Sequence, residues 1–242
     1  NESNLLADGV RKARIANLLD PSNLETRENF IELLFRANPT EALQKWARIF
    51  SVEQVSEERT TTLLKRSIKT LKDDSLEIYE KRIAGEIAIG QLNFLLTIKD
   101  WLESPDNALI AAELLAETGN PVRANEIVKK SLETHPTHAE SIFLLTRLTV
   151  HLSDNKNLPY IAKKLADLSN RKSISGVEAI RHLTLLHLLN PLSKKSLRTC
   201  IELLQSNPHA ETIDFMRIHA LQYHVSANET EKISVVKLCS EQ

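Results

Sequence analysis

Residues 108–136 read ALIAAELLAETGNPVRANEIVKKSLETHP: two short stretches with helical spacing of apolar residues, joined at Gly119-Asn120-Pro121 and closed by Pro136. This predicts two short antiparallel helices with a tight turn between them. Small residues stand at Ala112 and Ala124, where neighbouring helix backbones can approach closely. Apolar or small residues follow at Leu115, Val128 and Ser131. Asparagine before proline has a mechanism at a helix start, because the Asn side chain caps free amides of the first turn while proline has a suitable fixed φ and no amide to leave unpaired.

The same signals recur outward from this stretch. Asn38-Pro39-x-x-Ala42 repeats Asn120-Pro121-x-x-Ala124, and Trp46 and Phe50 then fall where Val128 and Leu132 do. Asn190-Pro191 and Asn207-Pro208 fit the same rule, so most prolines read as helix-start punctuation. Asp20-Pro21 ends an opening helix carrying Leu6, Val10, Ala13 and Ala16, which looks like the second half of a repeat. Residues 56–71 and 74–83 read as a pair ended by Gly85, and a long apolar stretch follows over 86–102. Gly90 within that stretch is expected at a close helix contact. Residues 169–175, SNRKSIS, read as a polar link, and Ile233 and Val236 belong to a closing helix.

With small residues at its eighth and twentieth positions and proline near its end, the reference stretch resembles a tetratricopeptide repeat, a helix pair of about 34 residues. It departs at the fourth position, where the family usually has Trp and this chain has Ala108. The resemblance implies an all-α fold: a right-handed α-solenoid, or superhelix, of helix pairs over residues 1–242 as a single domain, with about twelve or thirteen helices. Proline spacing carries the repeat onward, since Pro121 to Pro191 spans 70 residues and Pro136 to Pro208 spans 72. Pro39 to Pro121 spans 82. That surplus over two units is about the length of one helix, which predicts an irregular or extra helix within 75–104.

Composition agrees with helices. The 242 residues include only five glycines and 5% aromatics, which disfavours strands and their turns, and 42% apolar residues can fill a continuous core. Thirty-one basic residues against thirty-two acidic leave a net charge of −1, so no global field draws the chain to nucleic acid or an anionic membrane. No run approaches the roughly 18 apolar residues of a membrane span. The opening at Asn1 reads as a segment of a longer chain, so an N-terminal signal or anchor would lie outside these residues.

Chemical motifs are sparse. His182 and His187, like His219 and His224, are five apart, which places each pair about 140° apart on a helix rather than on one face. No metal site, cofactor or catalytic residue is expected: the chain has no glycine-rich phosphate loop, no G-x-S-x-G elbow and no H-E-x-x-H helix. Cys200 and Cys239 fit no metal or redox spacing, and Cys200 and Trp46 are expected as buried packing residues.

In the resembled family the concave surface, lined by the first helix of each pair, grips peptides or partner helices, so the resemblance implies a protein-binding scaffold and no enzyme. Carried over by position, the groove residues are Glu113 and Glu117, and by the same phase Glu25, Glu28, Glu32, Glu140, Arg147 and His151. Second helices carry Lys45, Arg48, Lys129, Lys130, Lys163, Lys164, Lys194 and Lys195. The expected result is an acidic inner surface that takes a basic segment of a partner protein. Nucleic acid, the alternative partner, would be confined to the outer lysines.

Overall fold

The computed structural model describes residues 2–50, 56–226 and 233. The chain folds into twelve α-helices among them, and no strand occurs there. They are α1 (Glu2–Leu19), α2 (Leu24–Ala37), α3 (Pro39–Phe50), α4 (Glu57–Leu71), α5 (Ile78–Leu95), α6 (Pro105–Glu117), α7 (Pro121–Thr134), α8 (Ala139–Leu152), α9 (Leu158–Ser169), α10 (Ile174–Leu186), α11 (Lys194–Gln205) and α12 (Thr212–Val225). The chain is all-α, and among the described residues no helix is long and apolar enough to cross a membrane. Of the closing helix expected around Ile233 and Val236, only Ile233 lies within the described residues, and Cys239 lies outside them.

Local chemistry accounts for most helix boundaries. α1 stops before Pro21, and Asn23 caps α2 by accepting from the Thr26 amide. Asn38 Oδ1 accepts from the Glu41 amide at 3.0 Å, with Pro39 opening α3. Ser56 and Ser193 cap α4 and α11 through their hydroxyls, and paired acids form capping boxes at α5 (Glu77, Glu80) and α12 (Glu211, Asp214). Pro105 and Pro121 open α6 and α7 as expected. Pro191 and Pro208 do not open helices; both lie in links, and Asn207 serves another purpose. Its side chain, buried, donates to the carbonyls of Arg171 (3.2 Å) and Ser173 (3.1 Å), tying the link before α10 to the link before α12.

The end of α6 requires glycine. Gly119 has φ +82°, its amide donates to Ala116 O, and the Asn120 amide donates to Leu115 O at 2.7 Å, satisfying carbonyls that the helix end would leave unpaired. Thirty-four residues later Ser153 adopts the same left-handed state, φ +52°, with its amide on Val150 O and the Asp154 amide on Thr149 O.

The surplus between residues 40 and 120 takes a different form from an added α-helix. Helices α2, α4, α6, α8, α10 and α12 begin at 24, 57, 105, 139, 174 and 212, so successive starts lie 33, 48, 34, 35 and 38 apart. The long interval holds one 18-residue helix, α5, and a link with a short 3-10 turn, Trp101–Glu103. α5 runs straight through both glycines. Gly85 is buried in mid-helix, with Leu71 and Thr118 each 3.6 Å from the place a Cβ would take, whereas Gly90 faces open space rather than a neighbouring helix.

The sequence reads as one domain over 1–242; the packing gives two compact units, Asn1–Leu102 with Glu113–Asn120, and Glu103–Ala112 with Pro121–Gln242. In the first, α2 packs on α1 and α3, and α5 on α3 and α4. Phe30, Leu34 and Ala42 form one buried cluster against Val10 and Ala13, and Leu43, Leu63 and Ala84 form another against Phe35, Leu71 and Trp46. Trp46 is half-buried rather than buried, set edge-on to Phe35 with ring centroids 5.6 Å apart. In the second unit, α8 packs on α7, α9 and α10, and α10 also on α9 and α12, over fully buried Ile142, Leu145, Ile161, Leu165 and Ile180. Cys200 is buried there as expected, and burial pushes its thiol up to about 11.

The two glycine environments give opposite expectations. Gly119→Ala forces a side chain into the left-handed region and should cost about 1–2 kcal/mol, whereas Gly90→Ala should stabilise by about 0.5–1 kcal/mol. Urea unfolding of both variants measures the contrast.

Candidate functional site

Helices α8, α10 and α12 are spatial neighbours, α8 on α10 and α10 on α12, although another helix separates each from the next in sequence. Two side-chain contacts define how they meet. Between α8 and α10, Phe143 and His182 stack with ring centroids 4.6 Å apart and planes 17° off parallel. Between α10 and α12, Arg181 donates from Nε and Nη2 to the two carboxylate oxygens of Asp214, at 2.6 and 3.0 Å. Glu178 one turn earlier accepts from Arg181 Nη1 at 2.5 Å, and Glu211 lies 3.4 Å from Nη2.

This cluster sets its own charge states. The Asp214 side chain is only 2% exposed. Burial alone would raise its pKa, but the Arg181 hydrogen bonds, the Glu211 amide and the charges of Arg181 and Arg217 outweigh that and lower it. Arg181 is raised in turn, chiefly by its hydrogen bond to Asp214. His182 is lowered, chiefly by burial, with the Arg147 charge acting in the same direction. Its Nδ1 lies 2.8 Å from the Glu178 carbonyl and must donate to it, which leaves Nε2 as the acceptor in the neutral ring.

On the solvent side of α8, Glu140, Phe143, Arg147 and His151 recur at i, i+3, i+7 and i+11 and share one stripe, with Ile142, Leu145 and Leu148 buried behind it. Of the residues expected to line a groove, the structure brings Glu140, Arg147 and His151 together on this stripe. Glu140 lies 3.7 Å from His138 Nε2, which is also 3.3 Å from Asp106. Glu113 and Glu117 sit elsewhere, both against Lys72 Nζ, at 3.4 and 4.0 Å. Glu32 is bridged by Arg66, whose guanidinium lies 4.5 Å over Phe35 and 4.9 Å over Trp46. Glu25 and Glu28 lie outside the described side chains.

Of the acids expected to form a free acidic surface, Glu32, Glu113 and Glu117 therefore face cations, whereas Glu140 lies beside His138. The outer lysines are partly engaged as well: Lys129 bridges Asp154 at 3.4 Å, and Lys164 lies over Tyr160. Sequence reasoning passed over Arg181, Asp214 and the Phe143–His182 stack. The i, i+3 spacing of Glu178 and Arg181 was a readable signal; the pairing with Asp214, 33 residues away, was not.

The other histidines near these helices have local roles. His187 Nδ1 accepts from the Leu192 amide, His135 Nε2 donates to Glu103 O, and His219 Nδ1 donates to Gln222 Oε1. Among the described residues no group of three His, Cys, Asp or Glu is placed to hold a metal ion. Comparison with models of known protein families and with curated proteins finds no match to this chain.

Arg181→Met would leave the buried Asp214 carboxylate without its paired guanidinium, with Arg217 4.0 Å away as the remaining cation, at an expected cost of about 2–4 kcal/mol near neutral pH. That cost should shrink on acidification, as the stranded carboxyl takes a proton. His182 contributes with its own sign: its folded pKa lies below 6.5, so its contribution is present above that value and is lost as pH falls below it. Urea unfolding from pH 7 to pH 5 checks both, and His182→Phe should flatten the second dependence.

Proposed function

We propose that the chain is a protein-binding scaffold, built as a right-handed superhelix of tetratricopeptide-like helix pairs whose concave surface is lined by first helices and grips a peptide or partner helix. The observation that carries this reading is the direct packing of α8 on α10 and of α10 on α12, first helix on first helix. The left-handed turns at Gly119 and Ser153, one 34-residue unit apart with matching hydrogen bonds, support the same repeat. In such a stack function is geometry: the scaffold offers a preformed surface and the partner supplies the ordering entropy.

The α8 stripe is the part of that surface best suited to a partner. It runs from an acidic residue, Glu140, past the half-exposed face of Phe143 and His182, to basic Arg147 and His151. A segment with one apolar residue for the ring pair, a cation toward Glu140 and an anion toward Arg147 would match it. The basic partner expected from the acidic row becomes a partner of mixed charge, because Lys72 and Arg66 already meet Glu113, Glu117 and Glu32.

A peptide array screened with the natural chain and with two double reversals tests the reading. Arg147→Glu with His151→Glu should weaken the preferred peptides by about tenfold or more and shift the preference toward basic ones. Lys163→Glu with Lys195→Glu, on α9 and α11, should leave the preference intact. The reverse pattern, or binding to RNA or DNA that the lysine reversals abolish, would overturn the proposal in favour of a nucleic-acid-binding repeat.

A further inference from the structure

Helix α5 packs on α3 and α4 and is buried along Ala84, Ala88, Leu92 and Leu95. Its opposite face carries large apolar side chains that stand in solvent: Ile78 is 87% exposed, Tyr79 65% and Ile89 40%. With the exposed Arg82, Glu86 and Gly90 they form one row, spread over about 120° of the helix circumference. Arg82 Nε donates to Glu86 at 3.0 Å, so the centre of the row holds one cation and one anion side by side. Near its far end is a notch. Among the described residues nothing lies within 4 Å of the place a Cβ would take at Gly90.

The row is complementary to itself when reversed. Turned end for end about the level of Ala84, it sets Ile78 opposite Gly90, Tyr79 opposite Ile89 and Arg82 opposite Glu86, each pairing occurring twice. A bulky exposed side chain thus meets the notch, and the missing side chain lets the two backbones approach closely. Each Glu86 stands between its own Arg82 and the partner's Arg82, so opposite charges alternate around the axis. Other arrangements lose this match. Parallel pairing sets Arg82 against Arg82, and the antiparallel register that brings Ile78 opposite Phe94 sets Glu86 against Glu86. Like charges at the centre oppose both.

We propose that the outer face of α5 binds a second copy of this chain, with α5 antiparallel to α5 across a twofold axis. The surface shares no residue with the α8 stripe, and the inference does not rest on the scaffold reading.

Sedimentation of the full chain from about 5 to 500 µM should show a reversible monomer–dimer equilibrium. One helix pair lies at the small end of specific interfaces, so a Kd on the order of 10–100 µM is expected. Arg82→Glu and Glu86→Arg should each weaken association about tenfold or more. An equimolar mixture of those two variants should associate again, because each supplies the charge that the other lacks, and a chain carrying both reversals should dimerise with itself. Gly90→Gln fills the notch with a residue that suits a helix better than glycine, so it should weaken association while leaving the fold at least as stable. Arg123→Glu, at an exposed position on α7, should change nothing. Melting temperatures taken at the dilute end confirm that each variant folds. A chain that stays monomeric throughout the range, association that the single reversals leave unchanged, or variants that fail to associate on mixing would overturn the proposal.

Discussion

The controlling constraint is that these helices cannot stand alone. With 12 to 18 residues each, they sit near or below the length at which an isolated helix becomes even marginal in water. Each must bury its apolar stripe on neighbours, and the packing shows how. In the second unit the burden falls on α8 and α10, each in contact with three or more other helices. Their fully buried Ile142, Leu145 and Ile180 are the side chains that such contacts enclose. Removing a neighbour would expose that surface, so the unit's helices gain their stability together.

Apolar burial does little to choose one sliding position of two helices over another, and directional contacts narrow the choice. Arg181 meets both oxygens of a nearly fully buried carboxylate on α12 while Glu178 holds it from its own helix. A pair of this kind adds less net stability than its short distances suggest, because both charges leave water. What it supplies is a penalty for misalignment, since a shift of one turn would strand Asp214. Asn207 acts similarly on the links, where its amide donates to two carbonyls, those of Arg171 and Ser173, and so ties one link to the other.

The sequence was most legible where a signal acts within a few residues. Asn38-Pro39, Ser104-Pro105 and Gly119 each impose a backbone state on their own turn, and each marks the boundary it suggests. It was least legible where distant packing decides. Two glycines could not break α5, because one glycine costs a helix only about 1 kcal/mol and Ala84, Ala88, Leu92 and Leu95 are buried along that helix. Asn207-Pro208 looks like a helix start until the carbonyls of a link 36 residues earlier claim its side chain. The candidate surface shows the same division. The stripe of Glu140, Arg147 and His151 follows from helical spacing, whereas the neutralisation of Glu113 and Glu117 required knowing that Lys72 lies beside them.

The matching turns at Gly119 and Ser153 bear on how such a chain can change its length. Both junctions hold a residue in the left-handed state, glycine at 119 and serine at 153, and the same two backbone bonds, 34 residues apart. A copy of the intervening segment spliced in at either point would meet the same left-handed turn and the same bonding pattern on both sides. Duplication in frame there leaves no frustrated seam. Length in this fold is therefore open to recombination as much as to point substitution, with the turn as the joint and the helix pair as the unit of inheritance.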